Sequence, residues 1–486
     1  MGGGLLQLTI EGQMNIPLFY NPKISFFTYA YKRHTNYAME NIIHNFKNKP
    51  GSITTMHTGG TYNITLTENP NVDLLSNVYF IFKLPKIYSS DKLRFKWVEN
   101  IGSLIIKDAS IYIDELKVDT ITGEWLVVWN ELSMPVKDGY NTMTGNIPEF
   151  TNPRKKETTY RIKNNIISEY DYMASDKIKD VNNPSINERY ITVPLPFWFS
   201  KNHGLSLPIL KFCANRKVYL KLNFENIENL YTVYSDIYNM NISPAYYNIF
   251  NSNNKISFND FILEGDDKFI AHVDATFIVL DCFERQTILN NSISEVIIET
   301  VKINYDKFIS GGNDSIRIID VKSQLLVKEI IWTLNRADSI DKFNNKLNYS
   351  YSIPNNNENS IMKSALISWD NNTARIEEKE AYFYNNIQPY QHHSIIPRQG
   401  IYCYSFSLFP ERWFPSGCYN AAGVAAKLII KLNNYKSSLI DVLYQNKFGE
   451  NYKMGDNNND ILITLYIIQY NILIINSGDV GLRIQN

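Results

Sequence analysis

Two adjacent histidines, His392 and His393, are the side chains in this sequence best suited to bind a metal ion. Imidazole nitrogens are common ligands of Zn²⁺, but adjacent side chains of a strand point to opposite faces, so both rings could reach one ion only from a loop. No third ligand stands at a characteristic spacing from the pair. We therefore interpret both histidines as hydrogen-bonded structural residues, and the sequence predicts no metal and no other cofactor.

A second group of reactive side chains lies near the start of the chain. In the stretch NPKISFFTYAYKRHTNYAME, residues 21–40, aromatic residues surround Arg33 and His34, a combination that suits single-stranded nucleic acid. The 48 Lys and Arg residues are balanced by 49 Asp and Glu residues, so the chain has no excess positive charge to hold a polyanion, and we expect no nucleic-acid partner. The alternation in residues 26–31 predicts the first strand of a sandwich instead. Arg33, His34 and Glu40 would then form hydrogen bonds or ion pairs at its end or at a subunit contact.

Motifs of the common enzyme classes are missing from the sequence. There is no G-x-x-x-x-G-K-[ST], no G-x-G-x-x-G after a strand, no H-E-x-x-H and no G-x-S-x-G. Phosphoryl transfer, dinucleotide chemistry, zinc proteolysis and serine hydrolysis therefore have no support. We expect a protein that is not an enzyme.

Aromatic residues in two loops leave one alternative from another class open. Phe197-Trp198-Phe199 and Trp413-Phe414 could stack on sugar rings, as in a β-sandwich carbohydrate-binding protein or glycoside hydrolase. Large aromatic side chains more commonly anchor cores and interfaces. We therefore favour a structural or assembly role for Trp198 and Trp413.

Six N-x-[ST] sequons are weak glycosylation candidates, because a chain this rich in asparagine contains such triplets by accident. The start, MGGGLLQLTIEG, lacks the basic and apolar regions of a secretory signal, so we do not expect the glycosylation machinery to meet the chain. The sequons begin at Asn63, Asn241, Asn290, Asn313, Asn348 and Asn371.

The four cysteines are far apart and form no C-x-x-C pair, which indicates neither a zinc knuckle nor a disulfide framework. We predict buried free thiols at Cys213, Cys282, Cys403 and Cys418.

Short runs with alternating apolar residues recur along the whole chain and predict antiparallel strands. In NVYFIFKL and KVYLKLNF the residues expected to face a core are Val78, Phe80, Phe82 and Leu84, and Val218, Leu220, Leu222 and Phe224. The stretch TGEWLVVWNEL has helical spacing and a capping residue, Thr122. The most apolar stretch, residues 461–475, is too short to span a bilayer and predicts one or two buried strands.

An internal repeat predicts two similar domains. KVYLKLNF and KLIIKLNN share Lys, Lys, Leu and Asn in register at an offset of about 210 residues, and PLPFWFSKNHG and SLFPERWFPSG precede them in the same order. Each domain would be long enough for an eight-stranded β-sandwich with extended loops.

Several blocks of the sequence resemble the major capsid proteins of nucleocytoplasmic large DNA viruses. They include GGGLLQL followed by NPKISFFTYAYKRHTNYAME, KWVENIGSLIIKDASIYIDE, GEWLVVWNEL, VPLPFWFSKNHGLSLPIL, VLDCFERQTI, PYQHHSIIPRQGIYCYSFSLFPERWFPSG and YNILIINSGDVGL. The resemblance implies an all-β chain with two tandem eight-stranded antiparallel jelly rolls, long loops and few short helices. We place an N-terminal arm at 1–25, the first jelly roll at 26–224, a linker at 225–256 and the second jelly roll at 257–486.

The resemblance also implies an assembly and a place for it. The chain is expected to form homotrimers that act as pseudo-hexagonal capsomers of an icosahedral shell, with minor capsid proteins and an internal viral membrane as further partners at the inner face. It would be part of the virion and would assemble in the host cytoplasm. Residues 418–423 depart from the family pattern, which keeps a diverged minor capsid paralogue as an alternative.

Overall fold

Strands dominate the computed structural model of the chain. It describes residues 3–9, 20–21, 23, 34–48, 50–58, 60–67, 71–89, 94–134, 137–151, 184–212, 216–235, 240–250, 255–263, 265–291, 293–308, 316–349, 360–369, 373–423, 426–433, 460–476 and 478–484. Met1–Tyr37 and Ala38–Asn486 are separate compact units. The first contains helix α1 (Gly3–Thr9), on which Leu5, Leu6 and Leu8 are exposed.

The first half of the second unit forms a sandwich of two four-stranded sheets, in the orders β1-β12-β3-β7 and β2-β9-β5-β6. Strand β8 pairs with β3, and a ribbon β11-β10-β4 is added beside the sandwich. The strands are β1 (Tyr37–His44), β2 (Tyr62–Thr65), β3 (Leu74–Leu84), β4 (Phe95–Trp97), β5 (Ile106–Ile113), β6 (Leu116–Thr122), β7 (Arg189–Pro194), β8 (Leu207–Pro208), β9 (Val218–Phe224), β10 (Tyr231–Ser235), β11 (Met240–Ile242) and β12 (Ala271–Leu280).

The second half repeats this plan with the sheets β13-β21-β15-β18 and β14-β20-β16-β17. Strand β19 pairs with β15, and β22 pairs with β21. The strands are β13 (Ile293–Phe308), β14 (Ile316–Val321), β15 (Leu326–Arg336), β16 (Met362–Trp369), β17 (Thr373–Glu380), β18 (Ile401–Ser405), β19 (Tyr419–Asn420), β20 (Ala426–Leu432), β21 (Ile461–Asn476) and β22 (Asp479–Leu482).

Both sandwiches have the same topology. When the eight principal strands of each are counted in chain order, one sheet is ordered 1-8-3-6 and the other 2-7-4-5, which is the jelly-roll arrangement. The strand pairs whose register is described are antiparallel. The two repeated sequences lie on β9 and β20, each the seventh strand of its sandwich, so the predicted duplication and fold class are confirmed.

The strand pairing moves the predicted domain boundaries. Segment 225–256, predicted as a linker, contains β10, which pairs with β4 of the first sandwich. Strand β12, predicted in the second jelly roll, pairs with β3 and completes the first. The boundary therefore lies between Leu280 and Ile293, because the last strand of a jelly roll returns beside its first. The strand predicted at residues 26–31 lies outside the described residues.

Alternation along the strands was predicted correctly because it is a local property of an extended chain. The four predicted core residues of β3 are at most 1% exposed, and those of β9 at most 4%. Ile461–Asn476 forms one continuous strand with nearly all side chains buried, since both of its faces are covered.

Short helices lie in the connections. They are α2 (Ile101–Leu104), α3 (Gly123–Ser133), α4 (Lys137–Thr144), α5 (Pro148–Thr151), α6 (Pro244–Phe250), α7 (Cys282–Asn290), α8 (Ala337–Phe343) and α9 (Gln388–His392), with 3₁₀ turns at Trp198–Ser200, His203–Leu205, Ile209–Lys211, Ile227–Asn229 and Phe258–Phe261 and a π-helical turn at Phe383–Ile387. The predicted helix is α3, and the Thr122 hydroxyl accepts a hydrogen bond from Trp125 N at 3.3 Å. None of the helices in the described ranges is long and apolar enough to cross a membrane.

Candidate functional site

The two sandwiches share a buried surface that we call the junction. The first sandwich contributes α3, β6 and the loop 196–201, and the second contributes the sheet face of β13, β15 and β21. The rings of Trp125 and Tyr466 meet across it at 5.1 Å, and one apolar core continues from the first sandwich to Ile331 and Ile468 of the second. The two jelly rolls are therefore packed as one body.

Three charged side chains form an ion cluster in the junction. Glu299 on β13 pairs with Lys328 on β15 at 2.5 Å, and its other oxygen binds Lys201 from the first sandwich. The Lys328 side chain is fully buried, and that of Glu299 is only 9% exposed. Burial raises the pKa of Glu299, but the two ammonium groups outweigh it and hold this pKa below its usual range. Burial, with Lys201 nearby, lowers the pKa of Lys328 to about 8.

A small cavity of about 20 Å³ with a mixed polar and apolar lining lies beside the ion cluster, with room for about one water molecule. Asp119, Trp198 and Lys201 from the first sandwich line it together with Glu299 from the second. Asp119 is buried, and its Oδ1 accepts hydrogen bonds from Thr120 N at 2.9 Å and from Val301 N at 3.4 Å. Burial is the main cause that raises the pKa of Asp119 to about 7.

We expect this carboxyl to make the protein less stable as the pH rises through neutrality. Because the folded-state pKa lies above the unfolded one, the folded chain holds the proton more tightly, and the resulting stabilisation is lost progressively as the pH rises from about 4 to about 7. Between about pH 6 and about pH 8 the loss should be about 1 kcal/mol. The Asp119→Asn variant should not show this loss. Chemical denaturation of both proteins at the two pH values measures the difference.

The matched control for this prediction is Asp108→Asn on neighbouring β5, whose carboxylate accepts from Asn223 Nδ2 at 2.9 Å. That variant should keep the wild-type pH dependence. An Asp119→Asn protein that loses as much stability as the wild type between the two pH values would contradict the assignment.

Further ion pairs connect the two sandwiches. Arg398 of the second sandwich binds Glu131 at 2.8 Å and Glu99 at 3.3 Å. Lys346 binds Glu225 at 2.9 Å. These ion pairs add polar links between the two sandwiches to the apolar contacts of the junction.

A second buried group, the His393 cluster, consists of Glu329 on β15, His393 after α9 and Cys403 on β18. His393 Nε2 lies 2.6 Å from Glu329 Oε1, and His393 Nδ1 donates to Glu411 Oε1 at 3.1 Å. Burial lowers the pKa of His393, but Glu329 and the hydrogen bonds with Cys403, Glu329 and Glu411 raise it well above its usual range. Burial raises the pKa of the Cys403 thiol to about 11.

The two tryptophans predicted to anchor cores or interfaces have different surroundings. Trp198 is 2% exposed, lies between Phe197 and Phe199 and lines the junction cavity. Trp413, in the equivalent loop of the second sandwich, is 49% exposed. The rings of Phe197, Trp198 and Phe199 are all buried, so this loop cannot stack on a sugar in the folded chain.

The other predicted assembly residues do not come together in one site. His34 is exposed and donates through Nδ1 to Thr35 O at 2.7 Å, and Glu40 is exposed on β1. Arg33 lies outside the described residues. His392 bonds Leu408 O at 3.3 Å, so the two adjacent histidines have separate partners.

Burial separates the glycosylation candidates. Asn63 and Asn290 are exposed, whereas Asn241 is half-buried. Asn348 is 1% exposed and cannot carry a glycan in the folded chain, which corrects that candidate. Asn313 and Asn371 lie outside the described residues.

The predicted burial of the thiols was wrong at two positions. Cys403 is buried, but Cys282 at the start of α7 and Cys418 before β19 are exposed free thiols. Both stand at the edges of connections, where the sequence contains no period-two pattern to indicate burial. Cys213 lies outside the described residues.

Sequence reasoning missed the ion cluster and Glu329. Their partners lie 29 to 98 residues apart, so no local spacing joins them. One signal was available, because Lys328 and Glu329 stand inside an apolar run of β15, where a charged residue needs a buried partner.

Two family models match the chain. The model described as "Major capsid protein N-terminus" matches residues 25–258, and the model described as "Large eukaryotic DNA virus major capsid protein" matches residues 284–481. The unmatched interval between them, residues 259–283, contains the whole of β12, the last strand of the first sandwich, and the start of helix α7.

Relatives and solved structures agree with these matches. The chain is 24% identical to the major capsid protein of Phaeocystis pouchetii virus over the full length of both chains. It is 25% identical to probable capsid protein 4 of Acanthamoeba polyphaga mimivirus, over 87% of this chain and 91% of the relative.

Two solved structures share the fold. The capsid protein in a quasi-atomic model of the PBCV-1 virus capsid superposes with a TM-score of 0.66, 18% identity and coverage of 95% of this chain and 100% of that one. The Faustovirus major capsid protein superposes with a TM-score of 0.63, 10% identity and coverage of 96% and 94%.

Proposed function

The chain belongs to the major capsid protein family of large eukaryotic DNA viruses, and we propose that three copies of it form a pseudo-hexagonal capsomer of an icosahedral shell. The family consists of structural proteins of the virion and not of enzymes. The observation that carries the proposal is the pair of topologically identical sandwiches packed as one body, because three such bodies supply six similar corners.

The junction suggests how the copies meet. Its first-sandwich side includes α3 and the loop 196–201, and the equivalent parts of the second sandwich are the helical segment 383–392 and the loop 406–414. Its second-sandwich side is the sheet containing β13, whose equivalent in the first sandwich is the sheet containing β1. Copies arranged head to tail bring these equivalents together, and three copies close the ring.

Exposed apolar side chains support this arrangement. On the second sandwich, the segments 383–392 and 406–414 and their immediate surroundings carry five exposed apolar side chains. They are Tyr382, Tyr390, Leu408, Phe409 and Trp413. On the first sandwich, Met39 and Ile43 are exposed on β1, the strand that also carries Glu40. Clustered exposed apolar residues mark protein interfaces.

We expect the purified chain to have a mass three times that of the 56.4 kDa monomer in light scattering, and its particles to have hexagonal outlines in electron micrographs. Ile43→Glu and Tyr390→Glu should each weaken the trimer at least about tenfold, since burying an unpaired carboxylate costs more than about 1.4 kcal/mol. Analytical ultracentrifugation over a concentration series measures this change.

The matched control is Ile249→Glu on α6, an apolar residue that is 70% exposed and lies outside both surfaces. This variant should remain trimeric. A monomeric wild-type chain, or a trimer that tolerates both charged substitutions, contradicts the proposed contacts. A monomer that binds glycans would favour the carbohydrate-binding alternative, and a trimer found only with another capsid protein would favour a minor paralogue.

We also propose an inner position for the N-terminal arm, residues 1–25, with minor capsid proteins or an internal viral membrane as its partners. Exposed Leu5, Leu6 and Leu8 on α1 support it, because an apolar helix surface needs a partner in the particle. Assembly of the shell in the host cytoplasm is part of the same proposal. Deletion of the arm should leave trimers intact and prevent closed particles.

A further inference from the structure

The His393 cluster has the composition of a metal site. Glu329, His393 and Cys403 each offer one oxygen, nitrogen or sulfur atom, and these three atoms lie within 4.8 Å of one another. Glu329 and Cys403 share one face of the sheet, because Glu329 pairs with Ser405 and Ile331 pairs with Cys403 on the neighbouring strand. His393 reaches this face from the turn after α9.

An unsatisfied atom points to a missing partner in this cluster. Glu329 Oε2 is buried and has no hydrogen-bond partner among the described residues. The Glu329 side chain has no exposed area, so solvent cannot compensate. A buried carboxylate oxygen without a partner is costly, and a bound cation removes that cost.

We propose that Glu329, His393 and Cys403 bind one Zn²⁺ ion at the junction. Zn²⁺ accepts this mixture of carboxylate, imidazole and thiolate ligands in tetrahedral geometry. The second oxygen of Glu329 or a water molecule completes the coordination.

The charges of the proposed site balance. One thiolate and one carboxylate neutralise Zn²⁺, while the imidazole binds as a neutral ligand. Binding releases the thiol proton of Cys403 and the proton between His393 Nε2 and Glu329, so the burial of a net charge is avoided.

Glu411 supplies the outer support that metal-bound histidines usually have. It accepts the Nδ1 hydrogen of His393 at 3.1 Å and the backbone N–H of Ser394 at 2.7 Å. A carboxylate on Nδ1 directs the lone pair of Nε2 to the metal and fixes the plane of the ring. Trp129 packs edge-on against the same ring at 6.1 Å, which connects the site to the first sandwich.

His393 and Glu329 need only a small rearrangement to admit the ion. Tetrahedral Zn²⁺ holds ligand atoms roughly 3.3 Å apart, whereas Nε2 and Oε1 are now 2.6 Å apart. An increase of roughly 0.7 Å is within reach of one side-chain adjustment of Glu329, whose second oxygen has no bond to lose.

Cobalt substitution tests the proposal on the full-length protein. The protein is first stripped of metal with a chelator, and the chelator is removed. When Zn²⁺ is then added, we expect about one ion per chain to be retained through gel filtration, the occupancy of a single site. Co²⁺ should bind with the same stoichiometry and produce a thiolate-to-cobalt charge-transfer band and the visible bands of a tetrahedral site. Wild-type protein that binds neither ion at this level, or that binds Co²⁺ without the thiolate band, overturns the proposal.

Variants locate the site. Cys403→Ser should abolish the thiolate band, whereas Cys418→Ser and His392→Gln, which alter an exposed thiol and the adjacent histidine, should retain it. A band that survives Cys403→Ser or disappears in Cys418→Ser overturns the proposal. Glu411→Gln, at a partly exposed position, should fold and should weaken Zn²⁺ binding about 10- to 100-fold in competition with a chelating dye. Unchanged affinity in this variant counts against the assigned arrangement.

Discussion

Replacing Trp198 by alanine should lower the free energy of unfolding of the subunit by about 3 to 5 kcal/mol, the usual cost of removing a buried large aromatic side chain. The indole is 2% exposed, packs edge-on against Phe199 at 5.0 Å and lines the junction cavity beside Glu299. Its loss would leave a void between the sandwiches that neither rigid sheet can close. Denaturant unfolding followed by far-ultraviolet circular dichroism, at one fixed protein concentration, measures the change.

Trp413→Ala is the matched control, since it removes the same side chain from the equivalent loop of the other sandwich. Because 49% of its surface is exposed, its removal should change the free energy of unfolding of the isolated subunit by no more than about 0.5 kcal/mol. If the proposed ring of three copies is correct, the same variant should weaken the trimer. If both variants destabilise the subunit equally, the assignment of Trp198 to the junction within the chain and of Trp413 to a contact between chains is contradicted.

Glu299→Gln should also cost about 3 to 5 kcal/mol, because it leaves a fully buried lysine without its counter-charge. The substitution preserves side-chain volume, so the effect comes from charge. Lys328 has no exposed surface and Lys201 only 18%, and neither can regain water without opening the junction. Denaturation of Glu299→Gln, of Lys328→Met and of the double variant measures the coupling free energy between the two side chains.

Glu295→Gln is the control for this effect. It lies on the same strand, 54% exposed, and is 3.8 Å from Arg483, so its ion pair should contribute less than about 1 kcal/mol. Adding Lys328→Met to Glu299→Gln should restore part of the lost stability, because it removes the unpaired buried ammonium group. If Glu299→Gln costs no more than Glu295→Gln, or if Lys328→Met adds to the loss, the ion cluster does not hold the sandwiches together.

Features that depend on neighbouring residues could be predicted from the sequence. The alternating core residues of β3 and β9 and the capped helix α3 were predicted correctly, because strand and helix periodicities are properties of a short segment. The repeat on β9 and β20 was also readable, since a duplicated domain keeps its strand pattern in register.

The domain boundary was wrong for a physical reason. Strand β12 belongs to the first sandwich only because it pairs with β3, 189 to 204 residues earlier, and no composition change in the chain marks that return. Segment 225–256 looked like a linker because it is polar and irregular, yet β10 within it pairs with β4.

The sequence by itself determined the fold class, the duplication and the resemblance to a capsid protein family, because these are expressed in local periodicity and in the order of blocks. Only the tertiary structure decided which of two similar tryptophan loops is buried and which charges meet. Glu329 and His393 are separated by 64 residues and become neighbours through the pairing of β15 and β18. Such contacts depend on register and on the closure of long loops, and the pattern of a single segment contains neither.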